Sequence, residues 1–172
     1  MSAIHTAPFV AAILIAVNGG ATAFTGTVTA VHDGDTFTLD GHRRGRIFGI
    51  DAPELAQQCR DDAIHTPDPS SCVPCGQEAR QALETLLTGK EVIRTDRGKS
   101  YDRIVGECSV GKIQVGPWML SHGWAVAYET FLRRADKLAY ISAQSGAKEG
   151  IWAMTWVSPA QWRKMARLEC EK

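Results

Sequence analysis

The sequence predicts an α+β domain that is mainly β: a five-stranded Greek-key barrel of OB type with about three to four helices. Three observations predict it. Short runs rich in Thr and Val alternate apolar with polar residues and are separated by Asp-Gly pairs over the region 24–50. The period changes to helical spacing after Gly76 and returns to strand spacing after Gly89. Beyond residue 116 the spacing becomes mostly helical.

In chain order, residues 24–32 (FTGTVTAVH) alternate and form the first strand. Asp33-Gly34 is a tight-turn signal, residues 36–39 resume the alternation, and Asp40-Gly41 gives a second turn. Residues 46–50 make a third strand, opened by Arg46 and stopped by Pro53. Residues 56–75 are polar, with three prolines and three cysteines, and read as a surface loop. Ala79, Leu83, Leu86 and Leu87 then fall on one helical face, closed by Gly89. Two further strands follow at 91–95 and 104–108, joined by a polar hairpin over 96–101. A short helix over 117–122 stops at Gly123, and residues 124–128 are apolar. Residues 134–148 are helical, with Leu138, Ile141 and Ser145 on one face. Ser158-Pro159 starts a last helix, with Ser as N-cap and Pro in the first turn. A helix between the third and fourth strands of a five-stranded Greek-key barrel is the OB arrangement. Such surfaces often bind nucleic acid, but the fold alone assigns no function.

The chain has 172 residues, 44% of them apolar, enough for one domain with a real core. Nineteen basic residues balance nineteen acidic ones, which argues against a protein that coats nucleic acid through a broad basic face. It leaves room for an enzyme that grips a single phosphate. Residues 1–23 carry no Lys, Arg, Asp or Glu; an apolar run at 9–17 ends in Asn18-Gly19-Gly20, and Ala21-Thr22-Ala23 has an A-x-A cleavage pattern. The expectation is a signal peptide over 1–23, a single domain over 24–172, and a secreted or periplasmic protein. The apolar run is shorter than the roughly 20 residues a membrane span needs, so no stable membrane insertion is expected after cleavage. A monomer is expected.

Five cysteines suit an exported chain that uses disulfides, with Cys59 paired to Cys75 or Cys72, and the odd count leaves at least one thiol over. The competing reading of the same cluster is a zinc site from Cys59, His65, Cys72 and Cys75.

The chemistry lies in two short stretches, His32-Asp33-Gly34-Asp35-Thr36 and Arg46 through Asp51-Ala52-Pro53-Glu54. Taken alone, each is an ordinary turn with solvated acids. On adjacent strands their carboxylates converge, and converging carboxylates repel unless a cation stands between them. Asp35 and Asp51 are therefore candidate ligands of a hard divalent cation, with the Ala52 carbonyl as a third. Glu54, just beyond, can take a proton from a water or hold a ligand water. Arg46 and Arg103 suit phosphoryl chemistry, because planar bidentate donors match the equatorial oxygens of the transition state. Taken alone, each would be a surface ion pair, Arg103 with Asp102. There is no phosphate-binding loop of P-loop or dinucleotide type and no nucleophile elbow at Ser121-His122.

D-G-D-T at 33–36, R-x-x-G-I-D-A-P-E at 46–54 and Y-x-R at 101–103 together resemble the staphylococcal-nuclease-like (thermonuclease) family. The resemblance extends from about Phe24 to Trp152 and includes Cys75-Gly76-Gln77-Glu78-Ala79, Gly123-Trp124-Ala125 and Gly150-Ile151-Trp152. It implies an OB barrel and calcium-dependent hydrolysis of DNA and RNA phosphodiesters that leaves 3′-phosphates. By position it implies calcium at Asp35, Asp51 and Ala52, Glu54 as general base, and Arg46 and Arg103 on the phosphate. Tyr101 and Tyr128 would line the substrate pocket. The chain departs from the family at Asp102, where glycine is usual; its charge falls beside the expected phosphate site. The alternative function is a non-catalytic OB-fold module binding an oligonucleotide or a protein partner, and a third reading is a structural envelope protein.

Overall fold

Strand alternation sets the barrel. In the computed structural model, which describes residues 23–61 and 71–164, β1 (Ala23–Val31) turns Val28 and Val31 into the core and leaves Thr25, Thr27 and Thr29 outside. Inward residues three apart break the period of two. A register shift between Val28 and Ala30 in the pairing with β2 (Thr36–Leu39) supplies the extra residue. All of β2 is buried, and β3 (Arg43–Ile47) pairs with it antiparallel, placing Thr36 opposite Arg46 and Phe37 opposite Gly45.

Pro53 and Gly49 end this first meander. The chain makes a two-residue strand β4 (Ile50–Asp51), then β5 (Cys59–Asp61) and β6 (Cys72–Val73), and enters α1 (Cys75–Leu87). The inward face of α1 carries Ala79, Leu83, Leu86 and Leu87, as the helical spacing predicts. Next come β7 (Glu91–Ser100) and β8 (Arg103–Val110), with β9 (Ile113–Gln114) turning back on β8. Among the described residues the sheet order is β3-β2-β1-β7-β8-β9, and a parallel pairing of β3 with β8 closes the first five strands into a ring. That ring, with α1 between its third and fourth strands, is the predicted OB-type barrel. Phe37, Leu39, Ile47, Leu83, Leu87, Val92, Met119 and Leu120 fill it. Each such side chain contributes roughly 1.5–3 kcal/mol by leaving water.

Helices α2 (Val115–Ser121) and α3 (Arg134–Ser145) pack together, and β10 (Val126–Ala127) between them pairs with β4. A 3-10 turn (Gly150–Ala153) leads to β11 (Met154–Thr155), which pairs with β5, and α4 (Pro159–Trp162) follows. Ser158 caps α4 as predicted, in a reciprocal capping box with Gln161. No helix among the described residues is long and apolar enough to cross a membrane. The signal-peptide reading falls on residues outside those described, except Ala23, which opens β1 opposite Thr95.

Several elements differ from the expectation. The region 56–75, expected as a surface loop, contains β5 and β6 and buries Gln57, Cys59, Ser71 and Cys75, because β5 is paired with both β6 and β11. The third strand runs Arg43–Ile47 rather than 46–50, so Arg46 is its fourth residue. The polar run expected as a hairpin at 96–101 is paired strand up to Ser100; a register shift between Asp96 and Gly98 absorbs an extra residue, and the turn shrinks to Tyr101-Asp102. On α3, Tyr140 is the buried residue, whereas Leu138 is 79% exposed.

Cys59 and Cys75 form a disulfide, with Cα atoms 5.7 Å apart, and Cys72 is also disulfide-bonded. The bonded sulfurs overturn the zinc reading, since three of its four ligands are no longer thiolates; the fourth, His65, lies outside the described residues. Cys108 is free and buried in the barrel core, where burial pushes its thiol up to about 12. At pH 8 the folded protein should therefore leave Cys108 unalkylated by iodoacetamide, and urea should expose it; peptide mapping before and after unfolding checks this. Labelling in the folded state would contradict the burial.

Candidate active site

The first motif is shaped by its own side chains. Asp33 Oδ1 accepts from the Asp35 amide at 3.0 Å, an Asx turn, and the His32 amide donates to the Thr36 carbonyl at 2.9 Å. Gly34 lets this turn lie against the second motif: a Cβ there would stand 2.6 Å from Ala52 Cβ and 3.0 Å from Ala79 Cβ. Asp35 thus enters β2 almost fully buried, at 3% exposed. The register does the rest, since Arg46 lies opposite Thr36 and the Ile47 amide donates to the Asp35 carbonyl at 2.8 Å.

From that position one guanidinium spans both acids. Arg46 Nη1 donates to Asp35 Oδ1 and Nη2 to Asp51 Oδ1, each at 2.8 Å. Asp35 Oδ1 also accepts from Thr36 Oγ1 at 2.8 Å, and Oδ2 from the Ala52 amide at 3.2 Å. Burial pushes the Asp35 carboxyl up to about 7 even so, with Arg46 pulling it down and Asp33 adding to the rise. A buried carboxylate so placed gains from more positive charge nearby.

Arg103 reaches the same place from β8. Its Nη1 donates to Thr36 Oγ1 at 3.2 Å and its Nη2 to Ser100 Oγ at 3.4 Å. The surface ion pair with Asp102 that Arg103 would make if it stood alone does not form. Asp102 turns to Arg44, Nη1 to Oδ2 at 3.3 Å, because β3 and β8 are neighbours and Arg44 precedes Gly45, the partner of Ile104. Among the described residues Arg103 is therefore held by neutral hydroxyls rather than by a carboxylate.

Glu54 follows Pro53 on a pinned loop. Its amide donates to Gln57 Oε1 at 3.2 Å, the Gln57 amide donates back to its carbonyl at 2.7 Å, and the Gly76 amide donates to the Gln57 carbonyl at 3.1 Å. The neighbouring Cys59–Cys75 bridge ties loop to helix.

One site residue was not foreseen. Arg163, at the end of α4, donates from Nη2 to Asp51 Oδ2 at 2.8 Å and from Nη1 to Asp51 Oδ1 at 3.2 Å and Glu54 Oε1 at 2.5 Å. The cap signal at Ser158 placed the helix, but only the tertiary path brings its end across more than a hundred residues of chain to the site.

The two tyrosines sit on different elements. Tyr101, at the β7–β8 turn with φ of 56°, is 95% exposed. Tyr128 follows β10, donates its amide to the Gly49 carbonyl at 2.9 Å, and packs edge-on against Phe131 at 4.7 Å between centroids.

The donor set suits a hard cation. Two buried carboxylates already share one positive group, and Ala52 joins them in sequence and by its bond to Asp35. No group of three or more His, Cys, Asp or Glu side chains among the described residues is placed to hold a metal. A hard cation here would take two carboxylates and complete its shell with backbone carbonyl and water.

The sequence profile of the staphylococcal nuclease homologue family matches residues 44–154. The chain is 30% identical over 129 residues to CAN1 of Oryza sativa subsp. japonica, named a probable staphylococcal-like nuclease, with 72% of this chain and 33% of that protein covered. CAN3 of the same plant, also named a probable staphylococcal-like nuclease, is 29% identical over 126 residues, covering 72% of this chain and 29% of CAN3. An uncharacterized 38.1 kDa protein of Capnoides sempervirens is 29% identical over 129 residues, covering 72% of this chain and 32% of that protein. The chain thus spans about a third of the length of these relatives. Arg46, Asp51, Ala52, Glu54 and Arg103 fall inside the matched region, while Asp35 and Arg163 lie outside it. With a closed OB-type barrel and a profile match over most of its length, the chain belongs to the staphylococcal nuclease homologue family.

Proposed function

We propose that this protein is an exported, calcium-dependent nuclease that hydrolyses phosphodiester bonds of DNA or RNA. The observation that carries the reading is the span of Arg46 across Asp35 and Asp51, with Glu54 on the same rim and Arg103 bonded, among the described residues, to hydroxyls rather than to a carboxylate. Asp35, Asp51 and the Ala52 carbonyl hold the cation, which when bound supplies positive charge against the charge developing on the phosphate. Glu54 accepts a proton from the attacking water. Arg46 and Arg103 bind the non-bridging oxygens and stabilise the five-coordinate transition state. The bond from phosphorus to the 5′ oxygen breaks, leaving a 3′-phosphate. Tyr128, beside Phe131, and Tyr101 flank the substrate. Export to a secreted or periplasmic location rests on the uncharged, apolar amino-terminal region and its A-x-A pattern, and suits the disulfide. The working form is a monomer.

The alternative, a non-catalytic OB-fold module, is disfavoured by the joint presence of both acids, both arginines and Glu54; a pure binding surface has no use for two buried carboxylates facing a phosphate. Cleavage of plasmid and of RNA by the wild type should require calcium and stop in EGTA. Glu54→Gln, which keeps the shape and removes the base, should cut the rate by about a hundredfold to ten-thousandfold. Cleavage that survives both EGTA and Glu54→Gln contradicts the mechanism, and none in calcium favours the binding module.

A further inference from the structure

Asp51 is claimed by two guanidinium groups. Arg46 takes Oδ1 from within the barrel, and Arg163 lays a fork across both oxygens from outside while also holding Glu54. The segment that delivers Arg163 is anchored by contacts that do not involve the carboxylate groups themselves. β11 pairs with β5, Gln57 Nε2 donates to the Val157 carbonyl at 2.8 Å, Ser158 caps α4, and Pro159 is buried. Arg163 itself closes the helix, its amide donating to the Pro159 carbonyl at 3.0 Å. The end of α4 is thus set on the rim of the carboxylate cluster by the fold.

The two arginines differ in how they can leave. The Arg46 side chain is 15% exposed and runs along a barrel strand, while that of Arg163 is 37% exposed at a helix end. A divalent cation needs the Asp51 lone pairs that Arg163 now uses. It can gain them by turning Arg163 out to water, whereas turning Arg46 out would also break its bond to Asp35.

We infer that Arg163 is a built-in counter-cation that competes with the divalent metal for Asp51 and Glu54, so that the C-terminal helix sets the cation affinity of the site. The inference rests on the proposed cation site. It concerns a residue beyond the family-matched region. Removing the competitor strengthens metal binding, although it removes an ion pair from the cation-free protein. Arg163→Lys keeps the charge but loses the fork, and falls between wild type and Arg163→Gln.

The test is calorimetric titration of the full chain with calcium alone, without nucleic acid. Arg163→Gln should bind calcium about tenfold more tightly than wild type, the scale expected when charge-assisted hydrogen bonds no longer compete. Lys164→Gln removes one positive charge from the next residue and should shift affinity less than about twofold, since exposed charges are screened. Equal or weaker binding by Arg163→Gln overturns the inference while leaving the cation site standing. Equal tightening by Lys164→Gln also overturns it, because net charge alone would then account for the effect. Absence of binding in wild type, with binding in Arg163→Gln, supports it. Absence in both removes the cation site itself, and the inference with it.

Discussion

Replacing Arg46 by alanine is expected to lower phosphodiester cleavage by about a thousandfold, the cost of removing a donor from the charge developing in a transition state. It should also destabilise the cation-free protein by about 3 kcal/mol, the loss expected when one partner of a buried ion pair is removed. Both effects come from one guanidinium bonded at 2.8 Å to Asp35 and to Asp51, which are 3% and 2% exposed. Without it two buried carboxylates face each other, and burial already pushes Asp35 up to about 7 with Arg46 present. Arg46→Lys should rescue little, because an ammonium is a point charge and lacks the planar fork that reaches two carboxylates at once. Urea unfolding separates the two roles. In EGTA the variant should lose the full increment, whereas in calcium the metal replaces the missing charge and the difference should shrink. Stability equal to wild type in EGTA would show that Arg46 does not clamp the acids.

How far the sequence foretold this site follows from which contacts are local. The Asp33-Gly34 turn, the strand at 36–39, the face of α1 and the Ser158 cap are all decided within a few residues and stand in the structure, although all four residues of that strand are buried where the alternation implies only every second one. Pairing Asp35 with Arg46 needed only one short hairpin, so the convergence of the two motifs was legible too. The third strand begins earlier than its apolar run because its inward positions are Gly45 and Ile47. Gly45 faces the Phe37 ring, where a Cβ would come within 3.0 Å, so the position is core without being apolar in the sequence. The sequence places Asp102 beside Arg103, but the barrel closure offers it Arg44, 58 residues earlier. Arg163 depends on the path of the whole C-terminal segment, and no periodicity within that segment encodes its destination.

Gly76→Ala should lower cleavage by about a hundredfold, the scale of a misplacement near 1 Å at a catalytic group. A Cβ at this position would stand 1.8 Å from the Glu54 carbonyl oxygen, 2.7 Å from its carbon and 3.0 Å from the Leu55 carbonyl carbon. All three are backbone atoms, so no side chain can swing aside. Retreat of the helix is blocked as well, because Cys75 beside it is bonded to Cys59 and the Gly76 amide holds the Gln57 carbonyl at 3.1 Å. The strain therefore falls on the loop that aims Glu54, and stability should fall by about 3 kcal/mol, the upper end of ordinary overpacking. Calcium affinity should change far less, since Asp35 and Asp51 are held from the barrel side by Arg46. Gly146→Ala is the matched control: its nearest atom would lie 4.0 Å away with φ at −85°, and it should leave cleavage unchanged. A Gly76→Ala protein with wild-type cleavage would mean that Glu54 keeps its place without the loop, and so that the close approach of α1 serves packing and not catalysis. Loss of cleavage with calcium binding intact would assign the two halves of the site to two supports: the barrel strands for the cation ligands, and the disulfide-tied helix for the base.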